Sequence, residues 1–143
     1  MSTESWLFGY GMLSAYCLAA SLMEHFAVFS GWAAVDPARF QAVQTAQGHG
    51  SGVVHVLPQG ALTALVIVLL AVAPDGIPVW VLWATLAALA VWWSGFALQL
   101  PIQLRLRETA DPAAIQRLLR TNGIRIAATA AQFGFVAVAV ANA

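Results

Sequence analysis

The chain has 143 residues, of which 61% are hydrophobic and 8% are charged, and it contains no lysine. Soluble domains carry about a quarter of their residues charged, so this composition excludes an ordinary soluble domain. The formal net charge is zero, which argues against a nucleic-acid partner, because a phosphate backbone calls for a basic surface. The length predicts a single domain, residues 1–143.

Four apolar stretches are each long enough to cross a membrane, because about 20 residues of helix span a hydrocarbon core of ~30 Å. The stretches are too long for the strands of a membrane barrel, so we predict helices. The predicted fold class is all-α: an integral membrane bundle of four transmembrane helices in contact with the lipid bilayer. The spans are expected at about residues 6–29, 52–73, 77–100 and 115–140.

The links between the predicted spans differ in length and chemistry. The run 74–76, Pro-Asp-Gly, predicts a tight turn between spans two and three. In the longer link between spans one and two, Asp36 and Pro37 are a helix start signal. They predict a short interfacial helix that continues through Gln47. The glycine-rich run 48–52 is expected to end that helix and let the chain turn.

The arginines indicate an orientation. All of them fall in the first link, in the third link or at the adjoining ends of spans three and four, and the opposite loops have none. The positive-inside rule therefore predicts that this end faces the cytoplasm and that both termini lie outside. The arginines are Arg39, Arg105, Arg107, Arg117, Arg120 and Arg125.

Each predicted span also carries polar side chains on one helical face, close to the arginine-rich end. A charged group costs at least ~2.5 kcal/mol at the centre of a bilayer, so these faces are expected to point inward, into one pocket. Arg125 lies inside span four and needs a partner, for which Glu24 is the natural candidate. The inward faces carry Glu24 and His25, then His55 and Gln59, then Gln99 and Gln103, and finally Asn122, Arg125, Thr129 and Gln132.

Several kinds of chemistry fit these residues. His25 and His55, facing each other across a bundle, can hold a haem b iron. Together with Glu24 and the loop residue His49 they can also bind a transition metal such as copper, iron or zinc. Without a metal, a histidine beside a carboxylate and Arg125 suits proton abstraction from an acidic organic substrate. No motif decides among these, so the cofactor stays unknown, and a purely structural role in helix packing also stays open.

The second half of the chain resembles a known family. The stretch 100–106 reads LPIQLRL and the stretch 117–125 reads RLLRTNGIR. They are similar to small bacterial four-span proteins related to the anthrone oxygenase-like membrane proteins, in which Gln103, Asn122 and Arg125 would occupy motif positions. Gly123 stands where that pattern has an aromatic residue. The resemblance implies a bacterial inner-membrane location and an oxygenase-like activity on a hydrophobic aromatic substrate, with or without a metal.

The leading hypothesis is a membrane-embedded oxidoreductase or oxygenase-like protein that acts on a lipophilic, phenolic or quinone-like substrate. In this hypothesis His25 and His55 act as base or metal ligands, and Glu24 orients or co-ligates. One alternative is a haem or metal-binding protein without turnover, and another is a non-catalytic subunit of a homo-oligomer or larger membrane complex. The residues expected to hold a developing oxyanion are Arg125, Asn122 and Gln103.

Overall fold

Four helical segments are long and apolar enough to cross a membrane: Thr3–Trp32, Gly52–Val72, Val79–Leu106 and Pro112–Asn142. They are observed in a computed structural model that describes residues 2–142, apart from the side chain of His49. This described part of the chain contains no β-strand. The predicted all-α fold with four membrane-spanning helices is therefore confirmed.

The spans are built from α-helices and two wider, π-helical turns. Span one is continuous through α1, π1 and α2, and span two is formed by π2 and α4. Helix α3 lies between them in sequence, α5 is span three and α6 is span four. The elements are α1 Thr3–Met23, π1 Glu24–Phe29, α2 Ser30–Trp32, α3 Pro37–Ser51, π2 Gly52–Val56, α4 Leu57–Val72, α5 Val79–Leu106 and α6 Pro112–Asn142.

Helix α3 begins as predicted but does not end as predicted. The Asp36 carboxylate accepts a hydrogen bond from the Ala38 N–H at 2.8 Å, with Pro37 in the first turn. The expected stop at the glycine-rich run 48–52 is wrong, because the backbone there is helical and α3 continues directly into π2 and α4. A separate interfacial helix is therefore not observed. Helix α3 instead extends span two along the arginine-rich end of the bundle, where it contacts the end of α5 and the link that follows it.

Tertiary contacts explain why the glycines do not break the helix. Each glycine in a helix interior costs about 1 kcal/mol relative to alanine. Against this cost, the Gln41 side chain donates to the Glu108 carbonyl at 2.7 Å and the buried Gln44 side chain donates to the Gln103 carbonyl at 3.4 Å. Phe40 is also buried, 1% exposed. These contacts fix α3 across the arginine-rich end of the bundle.

The two remaining turns follow the sequence signals. Helix α4 ends at Ala73, which has the left-handed φ of 43° and whose N–H donates to the Leu69 carbonyl at 2.8 Å. Gly76, with φ of 85°, completes the predicted turn. At the other end of the bundle, Asp111 accepts from the Ala113 N–H at 2.9 Å and so caps the start of α6, as predicted.

Two buried apolar clusters occupy opposite ends of the bundle, and the buried polar side chains lie between them. The cluster at the end opposite to the arginines consists of Tyr10, Cys17, Leu62, Val66, Leu69, Ile77, Val81, Leu82, Leu89, Val136 and Ala139. The cluster at the arginine-rich end consists of Phe29, Trp32, Phe40, Leu106, Ile115 and Leu118. This arrangement encloses the polar groups of all four spans and positions the candidate site.

Candidate functional site

A buried ion pair joins spans one and four. Glu24 is 2% exposed and Arg125 is 1% exposed, and Arg125 Nη1 lies 2.9 Å from Glu24 Oε2. The predicted pairing of these two residues is confirmed. The same Nη1 donates to Gln99 Oε1 at 2.8 Å and to Asn122 Oδ1 at 3.2 Å. Because Nη1 has two hydrogens, Glu24 Oε2 is held by charge without a well-directed hydrogen bond and keeps accepting capacity.

Helix α5 provides the space and the ring surface for the Arg125 side chain. The guanidinium carbon lies 4.5 Å from the centre of the Trp92 ring and 5.8 Å from that of Phe96. The two rings stack with 5.7 Å between their centres. A Cβ atom on Gly95 would lie 3.0 Å from Arg125 Cγ, so only glycine admits the side chain without a shift. This packing of Arg125 against α5 was not predicted from the sequence, in which its only signal is a glycine one helical turn after a tryptophan.

His55 contacts the same carboxylate from span two. Its Nδ1 lies 3.9 Å from Glu24 Oε1, and Ser51 Oγ donates to that oxygen at 3.2 Å. Nδ1 also lies 3.0 Å from the Ser51 carbonyl oxygen, and Nε2 lies 3.0 Å from the Ala20 carbonyl oxygen. His55 thus links span two to span one through Nε2, whereas Nδ1 lies against the Ser51 carbonyl of its own continuous helix.

Each ring nitrogen of His55 faces a backbone carbonyl oxygen. Carbonyl oxygens only accept hydrogen bonds, so a neutral imidazole, with one N–H, would leave a lone pair facing the Ser51 or the Ala20 carbonyl. The Ser51 hydroxyl is closer to Glu24 Oε1, at 3.2 Å, than to Nδ1, at 3.4 Å, and so serves the carboxylate. An imidazolium satisfies both carbonyls.

Both π-helical turns contribute directly to this cluster, since Glu24 opens π1 and His55 lies in π2. Pro58 follows π2, and a proline crowds the carbonyl four residues earlier and cannot donate to it. At π1, the Ser30 hydroxyl donates at 2.8 Å to the carbonyl of His25, five residues earlier. Such wide turns occur frequently at functional sites. In this protein the π-helical turn of span one faces the π-helical turn of span two.

The remaining predicted site residues are placed differently. His25 is half-buried, and its Nδ1 lies 3.5 Å from Asn122 Nδ2. Gln103 is half-buried and supplies its backbone carbonyl to Gln44, whereas the amide that contacts Arg125 is that of Gln99, one helical turn earlier. The side chain of His49 lies outside the described residues. The structure therefore brings together Glu24, His55, Asn122 and Arg125, and adds Gln99 and Ser51.

The described side chains do not fit the predicted haem or metal ligand set. Among them, with His49 excepted, no group of three or more His, Cys, Asp or Glu side chains lies close enough to hold a metal ion. Both nitrogens of His55 face backbone carbonyls at 3.0 Å and offer no free lone pair to iron or copper. His25 has other partners, Asn122 and the edge of the Phe26 ring.

A cavity of about 220 Å³ reaches the cluster from the side. Its lining is mostly apolar, but it includes Ser51 and His55. Two larger cavities at the arginine-rich end, of about 250 and 230 Å³, contain no member of the cluster in their linings. The lateral cavity therefore reaches the cluster at Ser51 and His55, and neither Glu24 nor Arg125 belongs to its lining. It is lined by Met23, Val28, Ala46, Gln47, Gly50, Ser51, Val54 and His55.

Comparison of the chain with protein-family models, with curated proteins and with solved structures finds no match. The resemblance of the second half of the chain to anthrone oxygenase-like proteins therefore stays a prediction. The geometry around Glu24, His55 and Arg125 is the basis of the functional proposal.

Proposed function

We propose that the protein is a membrane-embedded, oxygenase-like oxidoreductase that removes a proton from a lipophilic, phenolic or quinone-like substrate and holds the resulting anion. One observation carries the proposal: Arg125 and His55 approach the single carboxylate of Glu24 at 2.9 and 3.9 Å in a buried site. With His55 protonated, the cluster has one positive charge more than Glu24 can balance. Burial makes a second anion favourable there, because Coulomb interactions are stronger away from water.

Each residue of the cluster has its own role in the proton transfer. Glu24 accepts the proton of the substrate hydroxyl through Ser51, which lines the cavity and donates to Glu24 Oε1 at 3.2 Å. Arg125 and His55 then stabilise the substrate oxyanion, while Gln99 and Asn122 keep the guanidinium in place. The electron-rich anion is the form that dioxygen oxidises, as the resemblance to anthrone oxygenase-like proteins implies. His55 acts here as a cation, whereas the sequence hypothesis had it as a base or metal ligand.

The lateral cavity suits an apolar ligand that enters from the bilayer. Met23 forms part of its lining and is 52% exposed, so its wall continues onto the outer surface of span one. The cavity volume of about 220 Å³ is below the ~300 Å³ of the smallest drug-sized ligand pockets. A ligand would therefore place one ring beside His55 and Ser51 and leave its apolar remainder among lipid chains.

The orientation belongs to the same proposal. Five arginines are exposed at one end of the bundle, and the positive-inside rule places that end in the cytoplasm of the producing cell. The substrate would then react in the cytoplasmic half of an inner membrane, and both termini would lie outside. The exposed arginines are Arg39, Arg105, Arg107, Arg117 and Arg120.

A second candidate is a non-catalytic subunit in which the cluster only joins the helices. The observation that favours it is the near-complete burial of Glu24, His55 and Arg125, which are 2%, 6% and 1% exposed. Removal of one partner from a buried ion pair typically costs ~3–5 kcal/mol, whereas neutral replacement of the whole pair is often tolerated. This difference makes the two candidates separable.

The test compares the parent with the double variant Glu24→Gln/Arg125→Gln in lipid nanodiscs. Oxygen consumption and product mass are measured with a panel of long-chain phenols and hydroquinones. We expect turnover by the parent and a loss of at least ~100-fold in the double variant, which is the contribution of a positioned proton acceptor. Arg120→Gln, a change at an exposed arginine, is the control and should keep the parent rate.

The outcomes separate the candidates. A folded double variant that consumes oxygen as fast as the parent would contradict the proposed roles of Glu24 and Arg125. A parent that turns over none of the panel, while the double variant folds with unchanged stability, would favour the non-catalytic subunit. Folding is checked in each case by the thermal midpoint of unfolding.

A further inference from the structure

Beyond the ion pair, the interior of the bundle contains buried polar groups that no described protein group satisfies. The side-chain amides of Gln59 and Gln132 have neither their oxygen nor their nitrogen hydrogen-bonded, and the indole N–H of Trp92 and the hydroxyl of Ser14 are also without partners. All of these residues are between 0% and 1% exposed. One comes from each span. Each buried polar group without a hydrogen bond costs ~1–3 kcal/mol. A group of four such side chains therefore requires a bonding partner.

Contacts between the helices place these groups at a similar depth along the bundle axis. Trp92 lies seven residues from Gln99, and Gln132 lies seven residues from Arg125, in both cases away from the arginine-rich end. Seven residues of helix correspond to ~10 Å. Because Arg125 bonds to Gln99, Trp92 and Gln132 lie at a similar depth.

The other two spans give the same depth. His55 bonds to the carbonyl of Ala20, which is four residues, ~6 Å, beyond Glu24. Gln59 is a further four residues along span two, so it lies ~12 Å beyond Glu24. Ser14 is ten residues, ~15 Å, beyond Glu24 on span one. The four unsatisfied side chains therefore form a layer about one helical turn thick, called here the polar layer.

The polar layer is continuous with the candidate site and closed on its far side. Arg125 lies over the Trp92 ring at 4.5 Å, and its own Nε has no hydrogen-bond partner among the described residues. Beyond the layer, the buried side chains Leu62, Leu89 and Val136 belong to the apolar cluster at the end opposite to the arginines. Polar groups without a partner therefore extend from Glu24 to the middle of the bundle. Farther out, the buried hydroxyls of Tyr10 and Thr85 bond to each other.

The chemistry of the layer identifies its ligand. It presents uncharged donors and acceptors together: two amide N–H₂ groups, two amide oxygens, an indole N–H and a hydroxyl. A charged ligand would find no counter-charge, whereas water donates and accepts and satisfies buried polar groups through about three hydrogen bonds each. We propose that the polar layer is an internal water-binding site that hydrates the inner side of the Glu24–Arg125 pair. This inference does not depend on the proposed function.

The test uses two adjacent tryptophans on one helix. The Trp93 indole N–H donates to Thr63 Oγ1 at 3.1 Å, so it is a matched control for Trp92. In ¹⁵N-labelled protein in nanodiscs, with sequential backbone assignment, magnetisation transfer from water to each indole N–H is measured by NMR. We expect a water cross-peak at Trp92 at least about threefold stronger than at Trp93, because only the Trp92 indole is free to donate to water.

Equal transfer to the two indoles would overturn the inference, and so would the absence of a cross-peak at Trp92. The variant Gln132→Leu supplies a second measurement on the same resonance. Removal of that amide should reduce the Trp92 cross-peak at least about twofold, since bound water needs several polar partners. An unchanged cross-peak in this variant would remove Gln132 from the site.

Discussion

At the scale of single residues, the cluster depends on how tightly Arg125 is held. Its guanidinium meets one carboxylate, two amide oxygens and two aromatic rings, and its aliphatic part fits against the bare backbone of Gly95. Each contact fixes where the positive charge lies. A substitution that touches none of the polar partners can therefore still disturb the site.

Gly95→Ala tests this dependence. The new Cβ would lie 3.0 Å from Arg125 Cγ, so we expect a loss of ~1–3 kcal/mol in unfolding free energy from overpacking. Gly134→Ala on α6, where an added Cβ meets nothing within 4 Å, is the control and should be neutral or stabilising by up to ~1 kcal/mol. Thermal unfolding in the same detergent measures both. Equal stability of the two variants would contradict the role of Gly95.

Prediction from the sequence found the contacts that charge alone determines. It missed the contacts that depend on the geometry of the packed helices. Arg125 inside a span needs a counter-charge, and Glu24 is the carboxylate placed to meet it, so their pairing follows from the sequence. Gln99 and Gln103 lie one turn apart on the same face, and only the depth of Arg125 selects Gln99. The partners of His55 are backbone carbonyls, which leave no trace in a sequence.

At the scale of helices, the spans and their turns were predictable, but the continuity of span two was not. The glycine-rich run 48–52 has the composition of a helix stop, yet it remains helical because tertiary contacts hold α3 against the end of α5 and the link that follows it. The π-helical turns were also missed. They depend on Pro58 and on the Ser30 hydroxyl, and prolines and serines occur in many helices that contain no such turn.

The end of α4 provides a test at this scale. Ala73 adopts a left-handed conformation with φ of 43°, which costs a residue with a Cβ about 1–2 kcal/mol. Ala73→Gly should therefore raise the unfolding free energy by ~0.5–1 kcal/mol. The same change two residues earlier, Ala71→Gly, lies inside α4 and should lower it by ~1 kcal/mol. If the thermal midpoints of the two variants shift in the same direction, Ala73 does not have the left-handed conformation at the end of α4.

At the scale of the whole molecule, two apolar clusters close a bundle whose middle is polar. The residues of the clusters come from the spans and from the links next to the arginine-rich end, and the sequence predicted the spans but not the clusters. The polar middle is less economical, because it buries Glu24, His55 and Arg125 together with the amides of Gln59 and Gln132. An apolar seam would hold the helices together at lower cost. The proposed function would account for this cost.

The most direct test of that function is the ionisation state of a bound phenol. A long-chain nitrophenol changes its visible absorption when it loses its proton, so its spectrum in nanodiscs reports whether the site stabilises the anion. We predict a phenolate band with the parent at a pH at which the same compound stays neutral in protein-free nanodiscs. Arg125→Gln leaves Glu24 and His55 as a balanced pair, 3.9 Å apart in the parent, and should abolish the band. A bound phenol that stays neutral in the parent, or a band that survives in Arg125→Gln, would contradict the proposed surplus of positive charge.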